Sequence, residues 1–295
     1  MESAAGGGKV PAMPASLSPR SPRYSLEDAV LGPRTREAVL EAIAAREHYR
    51  LVFEEWGLGK THREGRRIGI NLYGSPGTGK TMVAHGIASR LGKRIMCVNY
   101  ADIESKFVGD TPKNLTILFG VAREADAVLF FDEADAILSR RLTSMNNATD
   151  TSVNQTRSVL LSLLNDFEGV VVFATNFISN YDPAFMRRML AHVRFELPDL
   201  GCRCALLERL MPPEMPTDAV AEELAAASEG LSGGDLANAV LMGALRGARS
   251  GEGKVRAAYI LEAFASIRES GEANAAGGVP APARPLPLAK AEAGP

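Results

Sequence analysis

Residues 74–81 read Gly-Ser-Pro-Gly-Thr-Gly-Lys-Thr and fit the spacing G-x-x-x-x-G-K-[ST]. Chemistry on a polyphosphate needs that pattern. Gly74, Gly77 and Gly79 let backbone N–H groups converge on anionic oxygens at a helix N-terminus, Lys80 neutralises β- and γ-oxygens, and the Thr81 hydroxyl can ligate Mg²⁺. Ser75, Pro76, Thr78 and Met82 belong to the same candidate binding surface. The competing reading is a Gly-rich turn with an exposed lysine, and an apolar run before the loop with a helical pattern after it weighs against that.

A second stretch, Ala-Val-Leu-Phe-Phe-Asp-Glu-Ala-Asp at 127–135, is an apolar run ending in acids. It would deliver Asp132 to the metal, directly or in the second shell, and Glu133 to orient and deprotonate an attacking water. The plainer reading is that these residues cap a helix at Asp135. The two motifs are expected on successive strands of one sheet, and together they point to hydrolysis of a nucleoside triphosphate.

Strands and helices must position these groups. "RIGINLYG" runs into the loop, "KTMVAHGIASRLG" reads as a helix closed by Gly92, and "KRIMCVNY", "AVLFFD", "GVVVFATN" and "HVRFELP" read as further strands. Apolar strands separated by helices imply an α/β fold: a P-loop NTPase parallel sheet with helices on both faces. From about residue 200 the strand pattern gives way to helices, which implies a small all-α lid domain. Upstream, Thr35 to Trp56 has helical spacing through Val39, Leu40, Ile43 and Leu51, followed by a Gly-rich basic stretch. The expected organisation is a disordered tail over 1–23, the ATPase core over 24–199, the helical lid over 200–270 and a disordered Ala/Pro/Gly tail over 271–295.

At 295 residues with 46 % hydrophobic content the chain can bury a sizeable core. A formal net charge of -2 gives no global basic excess to recruit nucleic acid or an anionic membrane. Cys97, Cys202 and Cys204 form no paired framework, which fits a reducing compartment, and Cys202-x-Cys204 reads as helix-start residues rather than a metal site. No apolar run is long enough for a signal peptide or a membrane span, so the expected location is cytoplasmic.

The chain resembles the AAA family of ATPases, within the wider AAA+ class, from roughly residue 25 to 268. "GSPGTGKT", "FFDEADAIL", "ATN", "DPAFMRR" and "LSGGDL" occur in that family's order and near its spacing. The resemblance implies ATP and Mg²⁺ as ligands, with Asn176 as the sensor beside the γ-phosphate. It also implies Arg187 as an arginine finger reaching a neighbouring subunit, a contribution worth about 10³ to 10⁵ in rate. The second finger position falls on Leu190, a departure from the pattern; either Arg188 substitutes or one finger suffices. Gly32 stands where the family's backbone contacts adenine, and Gly233 and Gly234 start a lid helix. Leu206 is assigned apolar packing there. Gly233 and Gly234 also read simply as a helix start with Asp235 in the first turn.

Residues 104–115, "ESKFVGDTPKNL", resemble the family's first pore loop, with Lys106, Phe107, Val108 and Gly109 facing a central channel. A projecting Phe would grip a threaded chain of any sequence, and the other reading places Phe107 in a core. Arg140 and Arg141 either contact an adjacent subunit or a second pore loop, or are solvated. The implied function is an ATP-hydrolysing homo-oligomeric ring, a hexamer by resemblance, that remodels, unfolds or threads protein substrates. Substrate choice then rests with the pore, the 34–66 segment or a partner. The alternative is a nucleotide-dependent assembly switch or chaperone-like subunit with little turnover, although Glu133, Asn176 and Arg187 argue for hydrolysis. No nucleic-acid motif stands out, and no H-E-x-x-H protease motif occurs.

Overall fold

The structure, a computed structural model, describes residues 17–62, 67–99, 111–138, 148–176 and 181–275. The chain divides into two units between Cys202 and Arg203.

The first unit is a parallel sheet with helices. Its strands are β1 (Ile68–Gly74), β2 (Arg94–Asn99), β3 (Ala127–Asp132), β4 (Val170–Thr175) and β5 (Ala191–Phe195). They lie in the order β2-β3-β4-β1-β5, all parallel. The phosphate-loop strand and the acidic strand are therefore not adjacent, contrary to the expectation from sequence. β4 lies between them, with Val172 opposite Ile70 on one side and opposite Phe130 on the other. A parallel crossover can skip a position, and the connection lengths alone do not say which one.

Alternate residues of these strands enter two separate cores, because successive side chains of a strand point to opposite faces. One face buries Ile68, Ile70, Leu72, Val128, Phe130, Val170 and Val172. Against them lie α1 (Pro33–Glu47) and α2 (Lys80–Arg90), through Val39, Ala42, Ile43, Val83, Ala84 and Ile87. The other face buries Leu129, Phe131, Val171 and Phe173 with Leu115, Phe119, Leu160 and Phe167. Those last four come from α3 (Thr111–Glu124), α5 (Ala148–Asp166) and the turn after it. Two short helices, α4 (Asp135–Leu138) and α6 (Pro183–Met186), flank the ends of β3 and β5.

Local chemistry sets the helix ends. Pro33 occupies the first helical position of α1, where its missing N–H costs nothing. Gly92, with φ 65°, lets the chain turn out of α2. The expected helix from Thr35 to Trp56 divides into α1 and a π-helical turn, Arg50–Glu55. Leu51, expected on the apolar face, is 38 % exposed. The wider π turn shifts the angular phase by a residue, so spacing counted along an α-helix no longer reaches the core.

Residues 17–23, expected in the N-terminal tail, are part of the fold. Leu17 is buried in the core that holds Phe131 and Phe173. Arg20 exchanges two backbone hydrogen bonds with Ile95 of β2, at 3.0 and 2.8 Å. Residues up to 16 lie outside the described residues.

The second unit is helical: most of α7 (Leu200–Leu210), then α8 (Ala221–Ala227), α9 (Gly233–Ser250) and α10 (Ala257–Ala275). Leu207, Leu224, Leu236, Val240, Ile260 and Phe264 form its core. α10 runs five residues past the expected lid boundary at 270, and from residue 276 the expected tail lies outside the described residues.

Candidate functional site

The C-terminal edge of the sheet gathers the residues that sequence singled out. β1 ends at Gly74, β3 at Asp132 and β4 at Thr175, next to Asn176. Gly74, Gly77 and Gly79 have φ of 144°, 74° and 95°, a region that L side chains rarely adopt. At Gly74 a Cβ would sit 2.0 Å from the Phe195 carbonyl oxygen, so no other residue fits. Ser75, Pro76 and Gly77 are exposed, Thr78 bridges back to the Ser75 carbonyl at 2.7 Å, and Met82 is half-buried behind the loop.

Gly79 is the N-cap of α2, and among the described residues no side chain caps that terminus. The first-turn amides are left for a ligand, as an anion cradle requires. Lys80 is 8 % exposed. Its Nζ donates to the carbonyls of Gly74 at 2.6 Å and Ser75 at 2.9 Å, and to Asn176 Oδ1 at 3.1 Å. Burial lowers its pKa from the ordinary lysine value, opposed by the carboxylates of Asp132 and Asp135. Its ammonium thus already spans the strand ends that a polyphosphate would meet.

Thr81 Oγ1 donates to Asp132 Oδ2 at 3.0 Å. This all-oxygen pair suits a hard cation such as Mg²⁺, and the free helix terminus suits the phosphates beside it. Glu133 has φ 50°, unusual for a residue with a Cβ. Its amide donates to Asp132 Oδ1 at 3.0 Å and its side chain is exposed, directed to where water can reach it.

Asn176 sits between β1 and β3 because β4 does. Its backbone N–H donates to both oxygens of Asp135, at 3.2 and 3.1 Å. Asp135 also accepts from the Tyr181 hydroxyl at 3.4 Å. Tyr181 is buried, and that burial is the first cause of a pKa raised well above the usual phenol range, so its hydroxyl stays a donor. Neither Asp135 nor Tyr181 was marked as a site residue from sequence. Asp135 reads there as a helix cap, and Tyr181 carries no motif; only their convergence on Asn176 reveals them.

The arginines separate in kind. Arg187, the C-cap of α6, is exposed. Arg188 is half-buried and occupied, its Nε donating to Asn165 Oδ1 at 2.8 Å and its Nη1 to the Ala184 carbonyl at 2.7 Å. Leu190 is 55 % exposed. Gly32 is the N-cap of α1, accepting from the Arg36 amide at 2.9 Å. In the second unit, Gly233 and Gly234 open α9 behind a capping box between Ser232 and Asp235. Leu206 packs on that unit's own core. Lys106, Phe107, Val108, Gly109, Arg140 and Arg141 lie outside the described residues.

A family model described as "ATPase family associated with various cellular activities (AAA)" matches residues 70–197. Spastin of Anopheles gambiae is 35 % identical over 181 residues, covering 57 % of this chain and 21 % of that protein. The ATP-dependent zinc metalloprotease FtsH of Acidimicrobium ferrooxidans is 37 % identical over 197 residues, covering 63 % of this chain and 30 % of that protein. Spastin of Drosophila melanogaster is 35 % identical over 181 residues, with 57 % and 23 % covered. The chain spans less than a third of the length of these curated relatives. No helix among the described residues is long and apolar enough to cross a membrane.

Proposed function

Because the chain belongs to the AAA family of ATPases, we propose that it hydrolyses ATP with Mg²⁺ and spends that free energy on remodelling protein substrates as a cytoplasmic homo-oligomeric ring. The observation that carries this reading is the convergence at the sheet edge. Lys80 joins the loop carbonyls to Asn176, while Thr81 joins Asp132.

In this reading the amides of residues 74–82 and Lys80 bind the phosphates, and Thr81 and Asp132 would hold Mg²⁺. The metal would supply charge neutralisation between the β- and γ-oxygens. Glu133 takes the proton of the attacking water, which its exposed position permits. Asn176 orients the γ-phosphate, and Lys80 balances the charge that grows on the leaving oxygens. Arg187 completes the site of a neighbouring copy, its exposure supporting that assignment. Arg188 is engaged with Asn165 and Ala184 and Leu190 is aliphatic, so a single arginine serves each neighbour. Phe107, by resemblance alone, grips the substrate.

Turnover measured against protein concentration tests the assembly. Specific activity should rise steeply as copies associate, and a monomer at full speed would sink the reading. An assembly switch would instead bind ATP stoichiometrically with negligible phosphate release. Glu133→Gln should retain ATP and lose about 10²-fold or more in kcat; hydrolysis at the parental rate would remove Glu133 from the role of base.

A further inference from the structure

The assignment of Asn176 and Arg187 leaves open what fixes either of them. Asn176 follows β4, and Arg187 ends a helix of only four residues. Both need an anchor, since a side chain displaced by about 1 Å from its working position can cost on the order of 10²-fold in rate.

The anchor is a single carboxylate. Asp135 is the first residue of α4, whose own turn is fastened to β4 by the Ala134 amide on the Ala174 carbonyl at 2.9 Å. Asp135 receives the Asn176 backbone N–H on both oxygens. Its Oδ1 also accepts from the Tyr181 hydroxyl at 3.4 Å. Asp182, next in sequence, donates its amide to the Leu138 carbonyl at the far end of α4, at 3.0 Å. The Asp182 side chain then caps α6 through the Ala184 amide at 2.8 Å. From Asp182 the chain climbs one turn, Phe185 plugs into the aromatic core, and Arg187 stands at the end. Thus α4 is clasped twice by the segment that carries the arginine, and one of those clasps shares its acceptor with Asn176.

We propose that Asp135 and Tyr181 are a positioning pair: the carboxylate that holds Asn176 beside Lys80 also fixes, through the Tyr181 hydroxyl, the turn that presents Arg187. A shift of Asn176 toward or away from a phosphate is then felt at Asp135 and passed to Arg187, so that each copy's own site sets the arginine it offers outward. The inference rests on the proposed ATPase reading for its kinetic consequences, but the physical link does not.

Tyr181→Phe keeps the ring and deletes only the hydroxyl. ATP affinity should stay within about two-fold while kcat falls about ten-fold, and mixing with Glu133→Gln copies, which retain ATP and keep Lys80, Asn176, Asp135 and Tyr181 and so present Arg187 soundly, should restore turnover per intact site. Asp135→Asn should lower kcat further at unchanged affinity. Parental kcat in Tyr181→Phe, or a loss that Glu133→Gln copies do not relieve, overturns the proposal. A loss shared with a lowered Tm and weakened ATP binding would mark a merely structural role and overturn it too. If the parent itself releases no phosphate, the ATPase reading fails instead, and amide exchange in nucleotide-free protein decides this one. Asp135→Asn should then speed exchange at Asp182, Phe185 and Arg187 several-fold, and unchanged protection there would overturn the link.

Discussion

The two faces of the central sheet are built differently. Where α1 and α2 pack, the strands contribute small and branched residues, among them Ile68, Ile70, Leu72, Val170, Val172 and Ala174. On the opposite face, Phe119, Phe131, Phe167, Phe173 and Phe185 dominate, with Phe131 and Phe173 stacked at 5.1 Å. On β1 that second face holds no large aliphatic residue, only Gly69, Asn71 and Tyr73. Asn71 is buried, and Thr175 Oγ1 donates to its Oδ1 at 3.3 Å. The helix that starts from the phosphate loop therefore lies against a mainly aliphatic surface, with Phe130 and Phe195 as its only aromatics among the buried residues described. Asp135, which holds the Asn176 backbone N–H, instead bonds Tyr181 of the aromatic core. The lesson is a division of labour: one face fixes where phosphate can sit, and the other fixes what senses it.

Removing volume should hurt the aromatic face most. Phe173→Ala is expected to destabilise by about 3–5 kcal/mol, because a stacked, fully buried ring leaves a cavity that its rigid neighbours cannot fill; denaturant midpoints at a common slope measure it. A loss under about 1 kcal/mol would mean that this face repacks freely and the contrast is false.

The helical face should be harmed by addition instead. A Cβ at Gly86 of α2 would meet Leu26 Cδ2 at 2.8 Å and the Leu26 amide nitrogen at 3.0 Å. Alanine favours helix by about 1 kcal/mol over glycine. Backbone cannot yield as a side-chain tip can, so Gly86→Ala should still come out destabilising, by about 1–3 kcal/mol. A gain in Tm would show that the 17–31 segment is held less closely than its packing suggests.

His85 gives the same face a pH signature. It is buried, its Nδ1 accepts from the Arg23 amide at 3.1 Å, its Nε2 lies 3.7 Å from Cys97 Sγ, and Tyr24 meets its ring edge-on. Burial, then Arg20 and Arg23, lower its pKa from 6.5, with Asp132 opposing. The folded chain thus prefers neutral imidazole. Its contribution is fully present above pH 6.5 and is lost as pH falls through the lowered value. Tm should drop on acidification from pH 6.5 down to that lowered value, and the drop should shrink in His85→Gln; identical slopes would exclude His85 as its source.

The smallest effect is expected at Asn71. Its Nδ2 is buried without a hydrogen-bond partner among the described residues, so Asn71→Val removes that donor together with the acceptor of Thr175. These changes oppose each other, and stability should move by no more than about 1 kcal/mol. A much larger loss would mean that the polar patch on this face contributes more than its visible bonds.

Much of this was readable in advance. Gly74 to Thr81, Asp132 and Asn176 announce themselves by residue type and order, and apolar runs delimit all five strands. Position in the sheet was not readable. That β4 separates β1 from β3 depends on crossover geometry, which no local pattern encodes. Residues 17–23 look like a tail because Arg20 pairs through its backbone, which leaves no mark on side-chain composition. Leu51 misleads because periodicity assumes one helical pitch. Asp135 and Tyr181 stay hidden for a further reason: their significance lies in sharing a partner, and they are 46 residues apart in sequence.

The bridge between Arg20 and Ile95 has a consequence for solubility. β2 is an outermost strand, and an uncovered margin of that kind offers a row of amides and carbonyls to any extended chain that drifts past. Arg20 takes up one rung of that margin like the first stitch of a selvedge, occupying the amide and carbonyl of Ile95. A version of the chain beginning at residue 24 would keep every phosphate-handling group yet leave that hem open, and it should clump at concentrations where the intact protein stays dispersed.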